Sequence, residues 1–379
     1  MFKQWRVDSC VLLTLGTLAT ACGNATGPRI VSSGVLVIGN WAESLAVVAR
    51  SGDSLLGRVG PIPSYKSAVG LSPDGTGLYI TASDASTPPS LFEVNLSTGE
   101  VSRTVAMSAM AMRSVAGPIS PSGTYLLAPT PDLRGLLIDG DSAGVPGLVY
   151  VDLATLTPRH FRDSVFVAAG ASAVLPGTKR LAILIRRVTD VPADDWVMVL
   201  DSTGLQAIDS VPVTSPTIRS YPEATELVPG ADSAHIYVVR PDTIALFDLT
   251  SKSVVDNVKT GVANGWLCRD PVTGDLYLTD PGDGFNTPGT GMIVVFGSAL
   301  TPVTTIDLTS ESVGGVPPVL VACGVDGQLG NLYVSSGTAY RGPLFGTQPG
   351  RLITLRVQDG AVVHTVSLDD WGVGMVIAP

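Results

Sequence analysis

The chain has 379 residues, 45% of them hydrophobic and only 15% charged, with 42 Gly and 28 Pro and a formal net charge of −10 at pH 7. So much apolar content, broken so often by turn formers, excludes a disordered or long-helical chain and points to an all-β globular one. The acidity argues against nucleic acid as the main partner and against binding to anionic lipid through charge, because both reward dense positive charge.

The N-terminus sets the compartment. Lys3 and Arg6 precede an apolar stretch from Val11 to Ala21 that is too short for a transmembrane helix and matches a signal peptide. Its end, Leu18-Ala19-Thr20-Ala21-Cys22-Gly23, resembles a bacterial lipobox. That resemblance implies removal of residues 1–21, lipidation at Cys22, a short tether over 22–29 and a folded body over 30–379. Gly23 after the Cys resembles the pattern that Gram-negative hosts sort to the outer membrane. Ala19 stands where Leu is more usual and Asp8 is an acid close to the apolar core, so ordinary cleavage and an uncleaved anchor stay open as alternatives.

The body repeats a unit of about 40 to 50 residues with four strands, here a to d from the channel outward, the signature of a β-propeller blade. The first complete unit places a at 68–71, b at 78–82, c at 91–96 and d at 101–105, with an SPDG turn between a and b. The second is read as 115–119, 125–128, 148–153 and 160–166, with a long b-to-c insertion from Pro129 to Pro146. The third takes 171–175, 180–185, 196–200 and 206–211. The fourth takes 226–228, 235–239, 244–249 and 254–259. The fifth takes 266–268, 276–279, 292–296 and 303–308, and the sixth 320–323, 332–335, 351–355 and 362–368. Two fragments remain: 35–39, 45–49 and 55–59 match b, c and d, and 374–378 is a lone apolar strand matching a. Joined, they predict a seventh four-stranded blade that closes the ring and hides its edges. The expected fold is therefore an all-β, seven-bladed propeller.

LYIT with LFEVNLSTGEVSRTV, IYVV with IALFDLTSKSVVDNV, LYLT with MIVVFGSALTPVTTI, and LYVS with LITLRVQDGAVVHTV carry a family pattern. They resemble the YVTN repeat of YncE-like seven-bladed propellers over nearly the whole mature chain. The resemblance implies an extracytoplasmic binding or surface protein. Lactonase-type propellers share the repeat style, so it does not exclude an enzyme.

In propellers the d-to-a and b-to-c connections gather at one mouth of the channel, and long loops there commonly form a binding face. Long b-to-c connections are expected in units two, three, five and six. The candidate ligand-binding residues are Arg113, Arg186, Arg187, Arg219, Arg240, Arg341 and Trp371; of these, Arg113, Arg219 and Arg240 suit an anionic ligand if their loops meet. Solvated surface or a salt-bridged mouth explains the same residues. No catalytic residues and no cofactor are assigned, since HExxH, CxxCH and Walker-type patterns are missing from the sequence. No metal site is assigned either: the three His are far from one another and from any Cys, and DPGDGFN over 280–286 lacks EF-hand spacing. Cys268 and Cys323 sit in first strands of neighbouring units, one position out of phase. Two buried thiols are the favoured reading, because a disulfide needs a local irregularity there.

Two function classes follow. The first is an outer-membrane lipoprotein that binds an envelope protein, peptide or glycan through one face of the propeller, without catalysis. The alternative is a lactonase-like or other hydrolase with its site at the channel mouth.

Overall fold

The computed structural model describes residues 34–39, 43–63, 65–72, 74–83, 90–106, 127–142, 145–155, 157–160, 166–187, 194–203, 206–213, 226–262, 265–282, 289–337, 350–368 and 372–377. Its strands are β1 Gly34–Gly39, β2 Leu45–Ala49 and β3 Leu55–Val59, then β4 Tyr65–Leu71, β5 Gly77–Ser83, β6 Ser90–Asn95 and β7 Glu100–Ala106. Next come β8 Leu127–Pro129, β9 Gly135–Ser142, β10 Val145–Asp152 and β11 Thr157–His160, followed by β12 Phe166–Val174, β13 Leu181–Arg187, β14 Asp194–Leu200 and β15 Ala207–Pro212. The second half holds β16 Glu226–Pro229, β17 His235–Arg240, β18 Thr243–Asp248, β19 Ser253–Lys259, β20 Leu267–Arg269, β21 Leu276–Thr279, β22 Met292–Phe296 and β23 Pro302–Asp307. The chain closes with β24 Val319–Asp326, β25 Asn331–Gly337, β26 Arg351–Arg356, β27 Val362–Ser367 and β28 Gly372–Ile377.

Six sheets are each woven from four strands consecutive in sequence, and one further four-stranded sheet is composite, in the order β28-β1-β2-β3. Every pairing in the composite sheet is antiparallel, with Val35 opposite Ile377 and Val37 opposite Met375. The innermost strands pack in succession, β4 on β8, β8 on β12, β12 on β16, β16 on β20, β20 on β24 and β24 on β28. The sheets thus stand side by side around a central axis.

Each sheet presents apolar residues on both faces, so the core is divided among the seams between sheets. Leu227, Ile236 and Val238 pack toward β12–β15 with Ala182, Leu184 and Val197. Their neighbours in sequence, Val228, Tyr237 and Val239, face the other way onto Leu267, Leu276 and Leu278. Strand periodicity of two makes this two-faced burial automatic. Turn chemistry repeats with the sheets. Ser72 donates to Asp74 Oδ1 at 2.6 Å and accepts from the Gly77 amide at 2.8 Å. Thr130 repeats both bonds with Asp132 and Gly135, at 2.6 and 2.9 Å.

Tyrosines in the second strands tie one sheet to the next. The Tyr237 hydroxyl donates to the Ser298 carbonyl at 2.6 Å, and the Tyr333 hydroxyl donates to the Arg50 carbonyl. At that last seam Arg50 also reaches Asp326, 2.6 Å away, whose side chain is almost wholly buried. A turn of the composite sheet is therefore pinned to the sheet beside it by two side chains.

The sequence-based parse needs correction in its second unit. The expected first strand, 115–119, lies outside the described residues. The observed first strand is β8, and β9 occupies most of what was read as a long insertion between Pro129 and Pro146, leaving only residues 143–144 between β9 and β10. The fourth strand is β11, ending at His160, and Phe166 already begins β12. Two local features hid this. The Thr130-Pro131-Asp132 turn continues into Leu133, at φ 62°, where the first unit has Gly75, so the Asp-Gly mark is missing. Strand β9, GLLIDGDS, is half Gly and Asp, residues that ordinarily avoid strands.

The cysteine expectation is also overturned. Cys268 and Cys323 form a disulfide with their Cα atoms 5.8 Å apart. The required irregularity is present: the register of β24 on β25 slips between Leu320 and Ala322, so Val321 is bulged out of the ladder. One extra residue restores the phase between the two side chains.

Removing residues 372–379 takes away β28 together with Met375 and Ile377, which lie against the core between the composite sheet and β24–β27. The truncated chain is expected to lose more than about 4 kcal/mol of stability. Denaturant or thermal unfolding of both forms checks this, and coincident transitions would show the strand to be dispensable.

Candidate functional site

The end of the ring where second strands finish and innermost strands begin gathers the polar residues of interest. Strand β13 ends in Arg186 and Arg187, and across the ladder these stand opposite Asp195 and Asp194 of β14. Both arginines are therefore strand residues, where the sequence suggested loop. Asp195 is buried. In the adjacent sheet β17 ends in Arg240, which is also buried and stands opposite Thr243. Only Pro241 and Asp242 separate β17 from β18, so this connection is a tight hairpin. It is fastened to the link after β19: the Asp242 amide donates to the Val262 carbonyl at 2.9 Å, and Asp242 Oδ1 accepts from the Gly261 amide at 2.7 Å.

Glu226 opens β16 at the same end. Its Oε2 accepts the Leu267 amide at 2.7 Å, so the carboxyl bridges from one innermost strand to the next. Glu226 keeps partial contact with solvent, yet the surrounding strands enclose its carboxyl, and this burial outweighs the Leu267 hydrogen bond and pushes its pKa up to about 8. Glu226 is opposite Val239 in the ladder, whereas Arg240 is one residue further on. Alternation thus sends the two side chains to opposite seams, Glu226 toward β20–β23 and Arg240 toward β12–β15. They do not form a pair.

Other polar groups at this end are engaged in holding links. Asp280 accepts from the Gly282 amide at 2.9 Å through Oδ1, and from the Thr290 hydroxyl at 2.7 Å through Oδ2, bracing the connection between β21 and β22. Arg351, at the start of β26, donates to the Glu311 carbonyl at 2.7 Å. Glu311 closes the short 3₁₀ turn Thr309–Glu311 and also accepts from the Thr365 hydroxyl at 3.1 Å. No group of three or more potential metal ligands occurs among the described residues.

Of the residues singled out from sequence, Arg186, Arg187 and Arg240 come to one end of two adjacent sheets. Arg113, Arg219, Arg341, Trp371 and Cys22 lie outside the described residues. Glu226 was missed. Its only signal was an acid at the first position of an innermost strand, in ELVPG, where the aligned units begin with apolar or small residues.

Neither a family model nor a curated protein matches the chain. Solved structures do. Hydrazine synthase from Kuenenia stuttgartiensis aligns with a TM-score of 0.57 and 13% identity, over 90% of this chain and 99% of that one. The dihydro-heme d1 dehydrogenase NirN, solved in complex with DHE, aligns with a TM-score of 0.57 and 13% identity, over 93% of this chain and 77% of that one. The Dos1 propeller aligns with a TM-score of 0.50 and 14% identity, over 79% and 72%. At these identities the likeness establishes the β-propeller fold and carries no activity across.

The Glu226 pKa makes a signed prediction. A carboxyl whose folded pKa lies near 8, against an ordinary 4.5, holds its proton over a range in which the unfolded chain releases it. Its contribution is intact below about pH 4.5, declines as pH rises and is fully lost above about pH 8, at a cost of at most about 5 kcal/mol. Glu226→Gln keeps an acceptor for Leu267 and removes the charge. The variant should match the parent near pH 5 and melt higher than it near pH 9; parallel melting curves across that range would place the carboxyl in contact with bulk water.

Proposed function

We propose that this chain is an exported lipoprotein, YncE-like in its repeats, whose propeller serves as a binding module for an envelope protein, peptide or glycan. The carrying observation is that β13 and β17, second strands of adjacent sheets, both end in arginine at the same end of the ring. Arginines at neighbouring strand ends suit carboxylate, sulfate or phosphate groups on a partner, because a guanidinium offers several donors in a fixed plane. The anchor draws on the Lys3, Arg6 and Val11–Ala21 pattern followed by Cys22-Gly23.

A hydrolase reading draws on one observation, the raised pKa of Glu226, since a carboxyl that holds its proton near neutrality is what a general acid requires. A second catalytic group beside it is not present among the described residues, so binding is the reading adopted.

Replacing Arg186, Arg187 and Arg341 together by Ala should leave the circular dichroism spectrum and melting temperature unchanged and weaken capture of a cross-linked envelope partner by about tenfold or more. Equal loss after mutating the turns at the opposite end of the ring would move the site there. The anchor has its own test. Cys22→Ser should abolish incorporation of labelled fatty acid and release the protein from membranes, and unchanged labelling of that variant would refute lipidation at this residue.

A further inference from the structure

At the opposite end of the ring, the seam between β4–β7 and β8–β11 opens into a cleft of about 540 Å³. One wall is the β4–β5 turn with Tyr79, Glu93 and Arg103, and the other is Arg134 with the 152–154 turn of the next sheet. Tyr79 occupies the strand position that Tyr237 and Tyr333 occupy in their sheets. Those two hydroxyls are spent on a carbonyl in a turn of the following sheet, at Ser298 and Arg50, which ties the two sheets together across the seam. Among the described residues no such forward bond is made by Tyr79, which instead lines the cleft beside Glu93, and Glu93 is paired with Arg103. The forward bond made at the other two seams is thus missing here, and the cleft lies between Tyr79 and the turn residues of the next sheet.

The lining is made ready for a polar guest. Burial first, and then the charge of Glu93, push the Tyr79 hydroxyl up to about 12, so it stays a neutral phenol able to donate. The Asp74 Oδ1 atom takes bonds from Ser72 and Thr76, which fixes the carboxylate while its second oxygen makes none of these contacts. Arg134 is exposed, its guanidinium has no ion-pair partner among the described residues, and its backbone is anchored by Asp132 Oδ1 at 3.0 Å. Guanidinium donors therefore alternate with carboxylate acceptors around a cleft of small-ligand size. A polyanion meets carboxylates there and a polycation meets arginines. A sugar hydroxyl, which donates and accepts at once, satisfies both kinds of neighbour.

We propose that this cleft is a saccharide site, taking a neutral mono- or disaccharide whose vicinal hydroxyls bridge Asp74, Arg103 and Arg134, on the end of the ring away from Arg186, Arg187 and Arg240. It does not depend on the binding role assigned to those three arginines.

The test is saturation-transfer NMR and calorimetry on the mature full-length chain, with maltose, cellobiose and N,N′-diacetylchitobiose as probes and inorganic phosphate and lysine as charged controls. At least one disaccharide should bind at millimolar concentration or below, and Arg134→Ala should weaken it by about tenfold. Arg134 is an exposed turn residue, so folding should be unchanged by circular dichroism. Tyr79→Phe provides a second variant that keeps the ring and should also weaken binding, while Arg186→Ala should not. Failure of all three disaccharides at millimolar concentration, tighter binding of phosphate or lysine than of any sugar, or sugar binding indifferent to both Arg134→Ala and Tyr79→Phe would each overturn the proposal.

Discussion

A sheet that is apolar on both faces can be satisfied only by a neighbour on each side, and almost everything else in this protein follows from that demand. Leu227 and Val228, adjacent in sequence, serve different seams. A row of such sheets always has two unsatisfied outer faces unless it bends round and meets itself. Here the two ends of the chain share one sheet, and the seam beside it is polar in detail. β28 completes the sheet begun by β1, the Tyr333 hydroxyl takes the Arg50 carbonyl, and Arg50 reaches the buried Asp326. An almost fully buried carboxylate with a guanidinium on it resists separation, because parting them would strand a charge away from water.

The units that could be read from sequence are those in which turn chemistry and strand pattern agree. Ser72-Pro73-Asp74-Gly75 between two apolar runs places β4 and β5 to within a few residues, and the Tyr-bearing strands β17, β21 and β25 fall where their alternation puts them. The second unit failed because Leu133 takes a left-handed conformation without a glycine to announce it, and because β9 is stabilised by its neighbours in the sheet despite a poor composition for a strand. The disulfide was beyond reach for a related reason. Whether two cysteines face each other depends on a single bulged residue, Val321, and a bulge leaves no mark in composition.

The candidate sites divide along the same line. Arginines stand out in a chain so poor in basic residues, and sequence alone brought forward Arg186, Arg187 and Arg240. It could not separate side chains that share an end from side chains that share a seam, and it passed over Glu226, which becomes unusual only once Leu267 of the next sheet closes on it. The cleft beside Tyr79 was equally hidden, since a tyrosine that bonds forward and one that does not are written with the same letter. Its character comes from the paired Glu93 and Arg103, which line the cleft beside the hydroxyl.

The composite sheet also sets a timetable. β1, β2 and β3 precede every other strand of the ring in chain order, yet their innermost partner, β28, follows all of them. Until then β1 offers a bare row of backbone donors and acceptors, and Val35 and Val37 lack the cover they have in the folded ring. A contact spanning nearly the whole chain is slow to form because the loop it closes is long. The six consecutive sheets can assemble on local hairpins while the chain is still arriving, but the ring locks only after the last residues are delivered. Chain growth therefore leaves β1 waiting for its innermost partner longer than any other strand of the ring.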